Sequence, residues 1–176
     1  MENYFKRDNY LKIDNKPVLF IFFAQRLAEV FGSPENHKAV FDSCREYAKN
    51  HGFDGMIFAV CDPTPDKALH DDYMARGYDF RFGYDSGYIP EKDFPDEEEV
   101  INGQCERFKQ YLRLDPMKHI ATASCFRDAT PRTTEHWISM GYKFHKEKKW
   151  RLSPEKFRLV LRGMKEAADK LPDGAW

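Results

Sequence analysis

Polar and aromatic side chains stand directly after several apolar runs of this sequence. When such runs form parallel strands, their carboxyl ends are where α/β proteins gather functional groups. Aromatic faces stack on the C–H surfaces of sugars, and carboxylates and guanidinium groups form paired hydrogen bonds with hydroxyls. The pattern therefore predicts a carbohydrate site with six substrate-binding candidates: Tyr84, Asp85, Tyr88, Asp128, Thr130 and Arg132.

Some acidic residues near these positions also have a purely structural interpretation. Asp62 begins the segment Asp-Pro-Thr-Pro over 62–65, in which an aspartate commonly caps the following turn. The charges over 128–132 also fit a cap combined with an internal ion pair. The acidic run over 93–99 is typical of a solvated helix start, where carboxylates complement the helix dipole, rather than of a metal site. Sugar binding and turn capping both stay open for Asp62.

The sequence carries no motif that nominates a catalytic residue. It has no glycine-rich phosphate loop after its first apolar run, no Gly-x-Ser-x-Gly nucleophile turn and no Asp-x-Asp triplet. The six histidines are scattered, and none is predicted to be catalytic. The four cysteines form no Cys-x-x-Cys pair, so we expect small buried side chains and neither zinc nor another cofactor. They are Cys44, Cys61, Cys105 and Cys125.

Apolar runs alternate with amphipathic segments along the whole chain. Continuous apolar runs predict buried strands over 18–24, 55–61, 80–84 and 119–125. Capping residues and helical spacing predict helices that begin near Pro34, Pro65, Asp96 and Pro154. This alternation predicts one α/β unit over 1–176 with a parallel sheet covered by helices. An open doubly wound sheet and a (β/α) barrel both fit the pattern.

Composition limits the partners that this chain can have. Its 176 residues are 41% hydrophobic and carry a net charge of −1, so no basic field attracts nucleic acid. The longest uncharged apolar run, 17–25, is far shorter than the roughly 20 residues of a membrane span. No export signal is visible, and we expect a cytoplasmic location for the chain as given. A complete (β/α)8 barrel takes about 250 residues, and about 200 at the least.

Four segments resemble one family in the order in which they occur. Residues 4–18, which end in Tyr-Leu-Lys-Ile-Asp-Asn-Lys-Pro-Val, resemble the Y-L/I-K-I/V-D-G-K-P-V segment of WbsX-type proteins, relatives of glycoside hydrolase family 99. Gly-Tyr-Asp over 77–79 is similar to the family's GFDA turn. Asp-Ala-Thr-Pro-Arg over 128–132 resembles its D-N-T-P-R motif. Ser-Pro-Glu-Lys-Phe over 153–157 resembles its S-P-E-x-F helix start.

This resemblance implies a glycan-active (β/α)8 barrel of which the chain forms about four β/α units. Family 99 members are retaining endo-α-mannosidases that use two carboxylates, and WbsX-type proteins are associated with surface-polysaccharide assembly. The family's acids lie in a W-N-E-W-x-E-G segment after the S-P-E-x-F helix, and no such segment follows residue 157 here. The resemblance thus implies a glycan-binding portion that is inactive alone, in a parent whose compartment stays open.

Two other functions stay open beside this one. A self-contained α/β protein that binds a small ligand or a partner without catalysis would cover both edges of its sheet. Half of a barrel would expose apolar edges and self-associate through them. A compact glycosyltransferase is the third alternative, and the missing phosphate loop and Asp-x-Asp triplet disfavour it.

Overall fold

A computed structural model describes residues 3–84, 86–88, 91, 94–115, 118–127 and 149–171. Contacts between Cα atoms divide the chain into two compact units. Unit 1 contains Met1–Tyr84 and Lys118–Ile120, and unit 2 contains Asp85–Met117 and Ala121–Trp176. The expectation of one α/β unit over 1–176 stays a prediction.

Unit 1 is built on a five-stranded sheet in the order β1-β2-β3-β4-β5. Strands β2 to β5 are parallel to their neighbours, whereas β1 is antiparallel to β2. The strands are β1 Lys12–Ile13, β2 Lys16–Ile21, β3 Ile57–Cys61, β4 Phe80–Phe82 and β5 His119–Ile120. The mixed α/β class with a mostly parallel sheet is therefore confirmed, and the short antiparallel strand β1 is an addition to it.

Strand β1 and strand β2 form a hairpin from the segment that resembles the WbsX-type motif. Its turn residues Asp14 and Asn15 have φ angles of 48° and 54°, a left-handed conformation that aspartate and asparagine tolerate. The Val18 N–H donates to Leu11 O at 3.1 Å, and the Tyr10 hydroxyl donates to Val18 O at 2.9 Å. The motif therefore fixes how the chain enters the sheet.

Three helices of unit 1 follow its strands: α1 Ala24–Phe31, α2 Pro34–Lys49 and α3 Lys67–Ala75. Ser33 caps α2 by accepting a hydrogen bond from the Asn36 N–H at 3.3 Å, as its position before a proline predicts. Asp66 caps α3 by accepting from the Leu69 N–H at 2.8 Å, so this helix begins two residues later than predicted.

Helix α1 corrects the prediction of a strand over 18–24. The strand ends at Ile21, and Ala24 is already the first residue of the helix. The apolar run continues without a break from the strand into the helix, and Phe23 at the N-cap offers no side-chain hydrogen bond. No residue type marks this boundary, so the sequence pattern alone placed it too late.

The two faces of the sheet carry different cores. Leu19, Ile21, Phe58 and Val60 pack with the helices, where Phe41 stacks on Phe58 with ring centroids 3.9 Å apart. The opposite face carries a separate apolar cluster whose members are Val18, Ile57, Ala59, Phe80, Phe82 and Ile120. Aromatic residues follow this second face at the carboxyl ends of the strands.

The segment over 77–79 fixes the start of β4. Asp79 Oδ2 accepts hydrogen bonds from the Phe58 N–H at 2.9 Å and from Arg45 Nη2 at 2.9 Å. The same Nη2 donates to Gly77 O at 2.6 Å, and Gly77 has a φ of 89°. The carboxylate thus joins β3, β4 and α2, and the role of this GFDA-like segment here is structural.

Unit 2 contains the helices α4 Glu97–Leu114 and α5 Pro154–Ala168, which pack on each other, and an antiparallel pair, β6 Phe126–Arg127 with β7 Trp150–Arg151. Both predicted helix starts are confirmed. Asp96 accepts from the Glu99 N–H at 2.8 Å, and Ser153 accepts from the Lys156 N–H at 3.3 Å.

The predicted strand over 119–125 is wrong beyond Ile120. The Ser124 N–H donates to Gln104 Oε1 at 2.8 Å, and Gln104 Nε2 donates to Ser124 O at 3.0 Å. The buried amide of Gln104 therefore satisfies the backbone of Ser124 in place of a neighbouring strand. The small side chains Ala-Thr-Ala-Ser of 121–124 offer little apolar surface to a sheet face.

The cysteine prediction is confirmed for Cys105 and wrong for Cys125. Cys105 is buried, its Sγ lies 3.8 Å from Val160 O, and burial raises the pKa of its thiol. Cys125 is exposed, since it lies at the start of the short pair β6–β7, and Cys44 and Cys61 are half-buried.

Close packing of α4 against α5 makes a first testable prediction. A Cβ added at Gly163 would lie 2.6 Å from Cys105 Sγ, a distance that real Cβ atoms do not adopt. We expect Gly163→Ala to lower the free energy of unfolding by about 1–3 kcal/mol in urea titrations followed by circular dichroism. Cys105→Ala in the same chain should restore most of this loss. If Gly163→Ala alone were as stable as the natural chain, this would contradict the close approach of these helices.

Candidate functional site

A cleft of about 430 Å³ lies at the carboxyl ends of β2 and β3 in unit 1. We call it the carboxyl-end cleft. This is the position at which parallel α/β sheets place their ligands, because the loops that follow the strands meet there. Its lining combines aromatic with polar side chains: Phe22, Phe23, Gln25, Asp62, Thr64, Asp72, Tyr73 and Arg76.

Three aromatic side chains at this end of the sheet stay open to solvent. Phe22, Phe23 and Tyr84 are 53%, 72% and 70% exposed, and we call them the aromatic rim. The Phe22 ring packs edge to face against both others, with centroids 4.8 Å from Phe23 and 5.3 Å from Tyr84. Three adjoining exposed aromatic rings are unusual on a soluble surface and indicate a binding face.

Asp62 begins the loop that forms one wall of the carboxyl-end cleft. Its Oδ1 accepts from the Thr64 N–H at 2.8 Å, and its Oδ2 accepts from the Tyr73 hydroxyl at 2.9 Å. Burial is the main cause that raises the pKa of Tyr73, and the hydrogen bond to Asp62 raises it further, so the hydroxyl keeps its proton and donates. Of the two interpretations left open for Asp62, these hydrogen bonds show the turn cap.

A buried arginine binds the backbone of this loop. Arg81, in the middle of β4, is only 1% exposed. Its Nη2 donates to Thr64 O at 2.5 Å and to Asp62 O at 3.3 Å, and lies 3.7 Å from Asp62 Oδ1. The Cζ atom of the guanidinium also lies over the Tyr73 ring, 5.6 Å from the ring centroid. With its two oxygens bonded and a cation beside it, Asp62 is suited to shaping the wall rather than to transferring a proton.

The lining of the cleft also contains a second ion pair. Arg76 Nε donates to Asp72 Oδ2 at 2.7 Å, and its Nη1 donates to Gly32 O at 3.2 Å. Gln25, in the first turn of α1, is exposed and adds an amide. The carboxyl-end cleft therefore combines aromatic faces with fixed hydrogen-bonding groups, which is a combination suited to a polyhydroxylated ligand.

The six predicted substrate-binding residues fall in different places. Tyr84 lies in the aromatic rim of unit 1. Tyr88 lies in unit 2, where it is half-buried against the α4 core and its ring occupies the space beside Gly103 that a Cβ would need. Burial is also the main cause that raises the pKa of Tyr88. Asp85, Asp128, Thr130 and Arg132 lie outside the described residues.

Sequence reasoning missed Phe22 and Phe23, which stood inside a predicted strand, and it missed Arg81. An arginine between two phenylalanines in a three-residue strand was the available signal for Arg81. Because side chains alternate along a strand, Phe80 and Phe82 share one face and Arg81 must enter the other. There it meets the helix-facing residues and the loop over 62–64.

A larger cleft of about 680 Å³ lies at the amino ends of the strands. Its lining contains Arg45, which pairs with both Asp42 and Asp79. It also contains Lys49, which pairs with Glu46 at 2.6 Å. The amino ends of parallel strands commonly serve stability rather than function. Its charges and its position therefore make this cleft a poorer candidate than the carboxyl-end cleft.

Within the residues that the structure describes, no three histidine, cysteine, aspartate or glutamate side chains come together as a metal site would require. The helices of the described ranges include none with the length and apolarity that crossing a bilayer demands.

Comparison of the chain with protein-family models, with curated proteins and with solved structures finds no match.

Proposed function

We propose that this chain binds glycans through the carboxyl-end cleft and the aromatic rim. The observation that carries the proposal is the pair of exposed rings Phe22 and Tyr84, which follow two parallel strands and adjoin a cleft with fixed polar groups. A sugar stacks its C–H face on such rings and directs its hydroxyls to the neighbouring carboxylate, amide and guanidinium groups. The resemblance to WbsX-type proteins supports an α-mannoside or a surface polysaccharide as the ligand.

In this proposal the five-stranded sheet is part of a (β/α)8 barrel. Strands β2 to β5 would be consecutive barrel strands, and the face that carries Phe80 and Phe82 would be turned to the barrel interior. Glycoside hydrolysis needs two carboxyl groups about 5–10 Å apart at the site. Asp62 is bonded to Thr64 and Tyr73, so it supplies neither of them. We therefore propose glycan binding for this chain and give Asp62 no part in bond cleavage.

Calorimetric titration with a linear α-mannan oligosaccharide tests the binding site. We expect Tyr84→Ala to weaken binding about tenfold, because stacking on one aromatic face contributes about 1–1.5 kcal/mol. Tyr47→Ala is the matched control, since Tyr47 is another exposed tyrosine but lies on α2, outside the aromatic rim. Equal losses in both variants, or no binding by the natural chain, would contradict the proposal.

A reducing-sugar assay on α-mannan separates binding from cleavage. We expect the chain to bind the polysaccharide without releasing reducing ends. Sustained turnover that Asp62→Asn abolishes would show that the carboxylate acts in catalysis and would overturn the binding-only role.

A further inference from the structure

Among the described residues, no strand covers part of one edge of β2. Strand β1 covers only Lys16 and Pro17 of β2, and the backbone of Val18 is satisfied by Leu11 and the Tyr10 hydroxyl. Backbone groups of alternate residues point to the same side of a strand, so Phe20 directs its N–H and C=O to the side on which Val18 meets β1. Within the described parts of the chain, no strand pairs with Phe20 on this side.

This open edge lacks the features that keep edge strands from pairing. Natural edges are usually blocked by a lysine, a proline, an inward charge or a bulge. In β2 the lysine and the proline occur only at residues 16 and 17, which β1 already covers. From residue 17 to residue 25 the sequence contains no charged side chain. The exposed portion is therefore free to accept another strand.

Exposed aromatic area continues from the edge onto the adjoining face. Phe20 is 46% exposed and packs edge to face against Phe82, with ring centroids 5.0 Å apart. Together with the aromatic rim it leaves roughly 500 Å² of aromatic surface open, taking about 200 Å² for each ring. A standard interface of about 800 Å² per partner is slightly more than half apolar, so this surface supplies the apolar area that a dimer needs.

From the open edge and this area we propose that the docking partner is a second copy of the chain, bound around a two-fold axis beside Phe20. Such an axis would place β2 antiparallel to β2 of the other copy and would set identical residues opposite one another. Self-pairing of a charged strand would be opposed by like-charge repulsion, whereas an uncharged edge has none. The net charge of −1 for 176 residues adds little long-range repulsion between copies. Neutrality thus favours a second copy over an acidic or basic partner.

Sedimentation velocity over micromolar to near-millimolar concentrations tests this interface. We expect a reversible monomer–dimer equilibrium, and we expect Phe20→Lys to weaken the dimer at least about tenfold, because it places a charge at the centre of the pairing edge. Tyr47→Lys is the control for a lysine at an exposed aromatic position away from the edge. Circular dichroism verifies that both variants are folded.

Three results would overturn the inference: a natural chain that stays monomeric at every concentration, a dimer that Phe20→Lys leaves intact, or a dimer that Tyr47→Lys weakens equally. A glycan and a second copy of the chain would cover the same aromatic rim, so the measurement uses sugar-free buffer. Dimerisation is then measured without that competition, and its failure can be told apart from failure of the proposed glycan binding. A natural chain that sediments as a monomer but floats with neutral phosphatidylcholine vesicles would assign the edge to a lipid surface instead.

Discussion

Arg81→Met is expected to lower the free energy of unfolding by about 3–5 kcal/mol in urea titrations. The substitution keeps an unbranched apolar side chain of similar length in β4 and removes the guanidinium that binds the loop over 62–64. The carbonyl oxygens of Asp62 and Thr64 then lose their donor, and the Asp62 carboxylate loses its neighbouring cation. Removal of Arg81 costs this much because the Asp62 carboxylate, which is only 12% exposed, then keeps its hydrogen bonds but has no opposite charge beside it.

The double variant Arg81→Met with Asp62→Asn is the control for this mechanism. Asparagine keeps an oxygen that accepts from the Thr64 N–H, and its Nδ2 can donate to the Tyr73 hydroxyl oxygen, which reverses that hydrogen bond. Because asparagine carries no charge, it should restore a substantial part of the loss. If Arg81→Met alone were as stable as the natural chain, this would show that the arginine does not stabilise the loop that forms the wall of the carboxyl-end cleft. A double variant less stable than Arg81→Met alone would point to packing rather than charge.

Stability is expected to fall as the pH is lowered from about 6.5 toward 3, by up to about 1.4 kcal/mol per pH unit for a single histidine. Burial, with Arg81 and His70 nearby, lowers the pKa of His119 to about 3. Burial also lowers the pKa of His37, which is enclosed by Phe31, Phe41 and Tyr78. His119 stays neutral in the folded chain over most of this range, and His37 takes up its proton at a lower pH in the folded chain than in the unfolded one. The unfolded chain therefore binds more protons below about pH 6.5, and acid favours unfolding.

Chemical denaturation at a series of pH values measures this slope. His119→Gln keeps a polar side chain without a titrating group, and the difference between its slope and that of the natural chain isolates the contribution of His119 from that of the carboxylates. We expect the variant to show the smaller slope between pH 3 and 6.5, since it lacks the depressed pKa of about 3. Equal slopes would mean that His119 takes up its proton as readily in the folded chain as in the unfolded one.

The elements that the sequence predicts well are those with local chemical signals at their ends. Helix α2 begins after Ser33 and helix α5 after Ser153, each with proline in the first turn, because capping depends on residues only three positions apart. The boundary between β2 and α1 carries no such signal. The extent of β5 depends on Gln104, twenty positions from Ser124 along the chain, and no local pattern contains that partner.

The candidate site likewise has a part that the sequence predicts and a part that it does not. Alternating apolar runs and amphipathic helices predict a parallel sheet, and a parallel sheet directs functional groups to the carboxyl ends of its strands. This reasoning found Tyr84 and the region of Asp62. It did not find Phe22 and Phe23 beside Tyr84, because their proximity depends on the strand order and on where β2 ends.

Periodicity, capping and strand direction can be read from the residues in order along the chain. They predict the α/β class, most helix starts and the end of the sheet at which ligands are expected. Three features are visible only in the folded chain: Arg81 is buried behind Asp62, Tyr88 packs beside Gly103, and within the described ranges part of the β2 edge has no neighbouring strand. Each of these depends on contacts between residues distant in the chain. Burial and pairing are properties of the folded neighbourhood rather than of the residue type.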